Sequence, residues 1–332
     1  MRGETMKAVF ITEPGEPDVL QVGEVARPEP GPEELLVRIR ASGVNRADVI
    51  QRRGSYPAPP GWPEDIPGLE YSGTVEAVGN GCSRFTVGDR VMGIVGGGGY
   101  AEYIAVHEGT AVGVPEGMSL EDAGAIPEVF MTAFDALFLQ MGLAARETVL
   151  IHAVGSGVGT AAVQLARAWG VRTIGTSRTP EKLERASELG LDVGVVAGDA
   201  DWAAKVLEET DGVGVDVILD LVGGPYVAAN LRVLAERGRW IVVGVPGGAK
   251  AEIDLRRLMG KRASITGTVL RARPTADKVA LAEAFAERVV PLLASGEARA
   301  VTDRTFPAVE AAAAHLRMES NLNFGKILLG WG

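Results

Sequence analysis

Between Val149 and Thr160 the chain reads VLIHAVGSGVGT, a short apolar run that stops at a cluster of glycines. Apolar residues then recur at helical spacing through AAVQLARAWG, ending at Gly170. A buried strand, a tight turn and a helix are the expected elements. The helix would start without bulky side chains, so its free N–H groups and the positive end of its dipole face whatever lies over the turn. A pyrophosphate suits that environment, and a dinucleotide is the expected occupant. Read strictly, Gly155 and Gly157 are followed by Thr160 where a third glycine would stand. Shifted by one, Ser156, Gly157 and Gly159 take the turn, approach and packing roles. Such turns also occur without a ligand. A second strand, VRTIGT from Val171 to Thr176, follows at the spacing of a βαβ unit.

The residues after that strand bear on which dinucleotide is bound. They are Thr176, Ser177, Arg178, Thr179, Pro180, Glu181 and Lys182. An NAD site commonly places a carboxylate at the strand tip to hold the ribose 2′-hydroxyl. Here the tip carries hydroxyls and a guanidinium, with an ammonium four residues on. Arginine matches a phosphate with a planar fork and lysine adds a point charge. NADPH is therefore expected over NADH. The alternative is that Thr179, Pro180 and Glu181 only begin the next helix, with Arg178 and Lys182 solvated.

The elements that must position these residues fit within 332 residues, enough for two domains with sizeable cores. No apolar run is long enough to span a bilayer. The N-terminus carries no export-signal core before a strand-like KAVFI from Lys7 to Ile11, so a cytoplasmic location is expected. The single cysteine, Cys82, excludes an internal disulfide and a multi-cysteine zinc site. A net charge of −10 argues against nucleic acid as the main partner. His107, His152 and His315 stand alone in sequence and read as structural or surface residues.

Short strands punctuated by glycine and proline run from Met6 to about Gly124, for example ELLVRIR from Glu34 to Arg40. They imply a largely antiparallel, barrel-like β domain. From about Ala125 to Thr266 strands alternate with helices, VDVILDLV from Val215 and GRWIVVG from Gly238 being buried parallel-strand candidates. From Gly267 onward the pattern gives helices and a short strand, Lys326 to Leu329.

Five segments in order carry a family resemblance: GVNRAD from Gly43, PGLEYSG from Pro67, VGDRV from Val87, HAVGSGVG from His152 and NFGKI from Asn323. Together they resemble the medium-chain dehydrogenase/reductase superfamily, specifically its zinc-free quinone oxidoreductase (zeta-crystallin-like) branch. The resemblance implies an α/β fold: a GroES-like β-barrel catalytic domain plus a Rossmann doubly wound parallel sheet. The implied division is 1–124 for the N-terminal part of the catalytic domain and 125–266 for the NADPH-binding domain. Residues 267–332 would return to the catalytic domain. Homodimers or homotetramers are common in the family. Its zinc-dependent members hold ligands at the positions of Asn45 and Leu69, which could not assemble zinc, so a metal-free reaction is implied.

By the same resemblance Asn45 would lie beside the nicotinamide ribose, donating to it; as a residue type it also suits a helix N-cap. Thr132 would contact the cofactor near its nicotinamide. Gly155, Ser156, Gly157 and Val158 would line the pyrophosphate, and Thr176, Ser177, Arg178 and Lys182 the 2′-phosphate. Val243, Gly244 and Val245, with Thr268, Val269 and Leu270, would bracket the nicotinamide through backbone groups, and Asn323 would close the site. One departure stands out: family members often carry Asn-Tyr after the third strand of the nucleotide domain, where this chain has Val196 and Ala197.

Tyr56, in a proline-rich loop ending near Trp62, is the aromatic candidate to stack on a planar acceptor or protonate it, unless it only packs the loop. The expected activity is NADPH-dependent reduction of a quinone or another conjugated carbonyl. A 2-alkenal, enone or enoyl-thioester reductase is one alternative, and a noncatalytic NADPH-binding structural protein another.

Overall fold

The computed structural model describes residues 4–198 and 201–332; residues 1–3, which the expected first domain includes, lie outside the described residues. The chain forms two compact units. One comprises Met1–Met131, Leu270–Gly296 and Ala300–Gly332, and the other Thr132–Val269 and Glu297–Arg299.

In the first unit, β1 (Thr5–Ile11) and β2 (Leu20–Ala26) pair antiparallel. β3 (Glu34–Val44) buries Leu35, Val37, Ile39 and Ala41 and exposes Arg38 and Arg40, the period-two alternation its sequence shows. Around it run β4 (Glu70–Val78), β5 (Arg90–Ile94), β6 (Tyr103–His107) and β7 (Ala111–Gly113).

The second unit holds β8 (Thr148–Ile151), β9 (Arg172–Ser177), β10 (Val193–Val196), β11 (Val215–Asp220), β12 (Leu234–Val242) and β13 (Ser264–Gly267). All five neighbouring pairs are parallel, in the order β10-β9-β8-β11-β12-β13. Numbered from β8 this is 3-2-1-4-5-6, the dinucleotide-binding order, which reverses between β8 and β11. Val149, Leu150 and Ile151 are fully buried, as a strand covered on both faces must be.

The chain then completes the first unit with β14 (Thr302–Pro307) and β15 (Lys326–Gly330). The ladder runs β14-β15-β3-β4-β5-β7, with β6 also on β3. Among the described residues the ladder branches at β3, as the GroES-like β domain of the expected fold allows, for which no closed barrel is required. β14 was absent from the expected elements. It is an edge strand, TDRTFP, with mainly exposed side chains and a terminal proline, so it has no apolar alternation to reveal it. No described helix is long and apolar enough to cross a membrane.

The glycine turn explains how β8 meets the helix Gly157–Ala168. A Cβ on Gly159 would stand 2.6 Å from the Ala153 carbonyl oxygen and 2.7 Å from Val154 Cα. Ala153 itself lies in the left-handed region, at φ +49°. Gly159 thus performs the packing role of the shifted fingerprint. We expect Gly159→Ala to lower the unfolding free energy by about 1–3 kcal/mol, read as a lower urea midpoint; an unchanged midpoint would mean that the turn yields freely.

Candidate functional site

At the carboxyl end of β8, Ser156 caps the helix, its Oγ accepting from the Gly159 N–H at 3.1 Å. Gly157 and Val158 open the first turn, where N–H groups have no intrahelical partner. The turn containing Gly155 is tied to β9 by Val154 N–H donating to Thr176 O at 2.9 Å. Beyond β9, Ser177 Oγ accepts from Thr179 N–H at 3.2 Å and Pro180–Ser187 forms a helix. Arg178 is exposed, and Lys182 is half-buried in the first turn of that helix. The structure therefore gathers Gly155 to Val158 and Thr176 to Lys182 at the same ends of neighbouring strands.

The Thr176 side chain faces elsewhere. Its hydroxyl lies 2.8 Å from His152 Nδ1, and His152 Nε2 lies 2.7 Å from Asn230 Oδ1. Asn230 Nδ2 donates to Asp220 Oδ2 at 3.1 Å, so its Oδ1 is the acceptor and His152 carries its proton on Nε2. Nδ1 then accepts from Thr176. Asp220 also accepts from Trp240 Nε1 at 3.2 Å and from the Val222 and Gly223 N–H groups at 2.8 Å. Burial holds the His152 pKa below its ordinary value, the nearby Asp220 charge opposing it. His152 is structural, as expected of a lone histidine. Its role as the link between the ends of β8, β9 and β11 is not written in any local motif.

Val243 N–H donates to Asp220 O at 2.9 Å, which places Val243, Gly244 and the half-exposed Val245 beyond β12 and beside the β11 end. Thr268 N–H donates to Val242 O at 3.0 Å, and its Oγ1 accepts from Gln140 Nε2 at 2.7 Å. Val269 is half-exposed at the unit's edge of sequence, whereas Leu270 is buried and belongs to the first unit. Thr132 is buried in the helix Pro127–Phe134.

The first unit builds a different cluster. Asn45 is at the N-cap position of the helix Arg46–Arg52, and its N–H donates to Asp48 Oδ2 at 2.7 Å. Its amide is committed elsewhere: Nδ2 donates to Glu70 Oε1 at 2.9 Å and Gly43 O at 3.2 Å, while Oδ1 accepts from Lys326 Nζ at 2.7 Å. Lys326 Nζ is also 2.5 Å from Glu70 Oε1, and Glu70 Oε2 accepts from Glu128 N–H at 2.8 Å. Asn45 therefore has no amide hydrogen left to donate to a ribose, and what it still offers is a lone pair on Oδ1. Asn323 is buried, its Nδ2 donating to Gly325 O at 2.9 Å.

Two carboxyl groups in this cluster hold their protons unusually well. Burial raises Asp48 to about 6 against the N–H groups of Asn45 and Gly68 that favour its charge. Burial, with the neighbouring Glu70 charge, raises Glu128 to about 8. A carboxyl group that is still protonated at neutral pH can give a proton. Glu128 and Lys326 were absent from the expected site; a glutamate in the first turn of a helix and a lysine in a short strand are ordinary in sequence. Tyr56 is half-buried, with the Arg271 guanidinium 4.9 Å from its ring centre and Arg271 Nη1 donating to Tyr56 O at 3.1 Å. Arg271 also donates to Gln51 Oε1 and Gly96 O, which fixes the loop. Burial lifts the Tyr56 phenol above its ordinary pKa.

Comparison with known proteins agrees with this geometry. Residues 31–116 match the family described as Alcohol dehydrogenase GroES-like domain, and residues 157–287 the family described as Zinc-binding dehydrogenase. A Quinone oxidoreductase of Pseudomonas aeruginosa is 36% identical over 320 residues, covering 95% of this chain and 96% of the relative. The chain belongs to the quinone oxidoreductase branch of the medium-chain dehydrogenase/reductase superfamily. That family relation was legible in the five sequence segments. Among solved structures, the Escherichia coli quinone oxidoreductase complexed with NADPH has a TM-score of 0.88 at 29% identity, covering 98% of this chain and 100% of that one. The CurK enoyl reductase has a TM-score of 0.86 at 26% identity, covering 98% and 99%.

Zinc, named in one family description, does not fit these residues. The Glu70 oxygens are taken by Lys326, Asn45 and the Glu128 N–H, so an ammonium stands where a divalent cation would have to displace it. Among the described residues no three His, Cys, Asp or Glu side chains are grouped to hold a metal ion.

The raised Glu128 sets a pH dependence. Between its ordinary value of 4.5 and about 8 the folded protein holds a proton that the unfolded chain has released. Stability contributed by this group therefore falls as pH rises through that window. We expect Glu128→Gln to remove this fall. The difference in unfolding free energy between wild type and variant should decline by up to ~1.4 kcal/mol per pH unit from pH 5 to 8, and a flat difference would place the carboxyl in ordinary solvent.

Proposed function

We propose that the protein reduces quinones with NADPH, by hydride transfer and without a metal. The observation that carries this reading is the match to a quinone oxidoreductase over 95% of the chain, which spans both the glycine turn and the Asn45–Glu70 cluster. The residues fit the cofactor: the helix start at Ser156 offers N–H groups to a pyrophosphate, and the tip of β9 offers Arg178 to a 2′-phosphate. Bound NADPH would supply a hydride, and the acceptor takes up one proton besides. Gly155, Ser156, Gly157 and Val158 hold the pyrophosphate, with Ser177, Arg178 and Lys182 at the adenosine phosphate. Thr176 serves through its backbone, its hydroxyl being committed to His152. Backbone groups of Val243 to Val245 and Thr268 to Leu270, together with Thr132 and Asn323, serve the nicotinamide end. Asn45 Oδ1 accepts from a ribose hydroxyl. Tyr56, its ring held by Arg271, stacks on the planar acceptor. Orientation is then most of the catalysis, and well-oriented reactants can gain many powers of ten.

A second reading, reduction of enones or enoyl thioesters, is favoured by the similarity to the CurK enoyl reductase. One set of assays separates the two. Cofactor oxidation is followed with NADPH and NADH against an ortho-quinone, a para-quinone, a simple enone and a crotonyl thioester. We expect NADPH with a quinone to dominate. Arg178→Ala with Lys182→Ala should cut the NADPH/NADH ratio of kcat/KM by tenfold or more, about 1.4 kcal/mol, and Tyr56→Phe should lower kcat only modestly. Turnover of the thioester without the quinone would replace the first reading by the second, and an unchanged cofactor ratio in the double variant would remove Arg178 and Lys182 from the site.

A further inference from the structure

Arg178 stands exposed just past β9, and among the described residues its guanidinium enters no hydrogen bond or ion pair. A second group without a partner lies nearby. Tyr226 follows β11 in the turn Gly223-Gly224-Pro225, ahead of the helix Val227–Val233. Its ring is half-buried and wedged: edge-on to His152 with centres 4.8 Å apart, and tilted against Trp202 at 5.2 Å. Its hydroxyl has no hydrogen-bonding partner among the described residues and is not sealed from solvent. Through His152 the ring is tied to Thr176, two residues before Arg178. The Arg178 charge is near enough to favour the Tyr226 phenolate, against burial, which disfavours it.

We propose that Tyr226 is a specificity-determining residue whose hydroxyl, together with the Arg178 guanidinium, binds the adenosine 2′-phosphate of NADPH. The proposal rests on the reading of the chain as an NADPH-dependent reductase. A phosphate offers several acceptor oxygens, and an arginine fork leaves some of them for a neutral donor on the other side. Val196 and Ala197 at the end of β10 supply none: neither has a polar side chain, and the Ala197 N–H already donates to Ser177 O at 2.7 Å. The loop after β11 supplies the hydroxyl instead. Because Trp202 and His152 hold the ring on two sides, little side-chain freedom remains to be lost on binding. NADH carries only a hydroxyl in place of that phosphate, so a donor aimed at the phosphate oxygens distinguishes the two cofactors.

The test is calorimetric binding of 2′,5′-ADP and of 5′-AMP to the full-length protein and to Tyr226→Phe, which keeps the ring against His152 and Trp202. The thermal midpoints of the two proteins are compared first and should agree. Wild type should prefer 2′,5′-ADP, and the variant should bind it about tenfold more weakly with 5′-AMP unchanged. Equal weakening of both ligands would make Tyr226 an adenosine-packing residue and overturn the proposal, as would unchanged binding of both. Absence of any 2′,5′-ADP preference in wild type would instead reject the NADPH reading itself, and this inference with it.

Discussion

An ammonium group buried in a β-sheet has to be neutralised and fully hydrogen-bonded, because its desolvation alone costs several kcal/mol. Lys326, 3% exposed, meets that demand with Val44 O at 3.2 Å, Asn45 Oδ1 at 2.7 Å and Glu70 Oε1 at 2.5 Å. Three donors find three acceptors. The acceptors come from the end of β3 and the first residue of β4, and β15 pairs with β3 starting at Ile327 opposite Val44. Backbone pairing and charge pairing thus specify one register, and a slip by one residue would turn Lys326 away from all three acceptors. The remaining Glu70 oxygen takes the Glu128 N–H and so positions the helix start that carries Glu128. One ion pair therefore decides both where Glu128 stands and what charge it faces.

The second unit solves the corresponding problem without burying a cation. Its network runs from Thr176 through His152 and Asn230 to Asp220, whose carboxylate accepts from two backbone N–H groups, an amide and an indole. Both imidazole nitrogens are used, which fixes the tautomer and the ring's orientation. Such fully satisfied networks rigidify the elements they join. Here those elements are the ends of β8, β9 and β11, at the point where the strand order reverses. The network supports the glycine turn above it and the Tyr226 ring beside it.

Local pattern made the nucleotide unit readable. The run from Val149 to Thr160 contains its own strand, turn and helix, and the role of Gly159 follows from spacing because the close approach to Ala153 is made within seven residues. The first unit was readable in kind but not in detail. β3 shows its alternation openly, while β14 hides because an exposed edge strand needs no apolar face. Sequence could place Asn45 and Leu69 only as positions that hold ligands in zinc-dependent members, and nothing local joined Glu70 to Lys326, 256 residues away. The Asn45 amide was read as a donor and is spent on Glu70 and Gly43. Tyr226 escaped notice for a related reason: its meaning comes from His152 and Trp202, which reach it only across the sheet.

The position of Lys326 also bears on how the chain is made. The cation that neutralises Glu70 lies 256 residues further along the chain, on a strand that follows the whole parallel sheet of the second unit. During synthesis the first unit therefore emerges early with a carboxylate it cannot yet bury, and it must wait for β15 before its sheet can form around that charge. The second unit is nearly continuous, Thr132–Val269, and has its whole parallel sheet and the His152 network available well before then. The order of folding is thus inverted relative to the order of translation: the unit begun first is finished last, once β15 has been made.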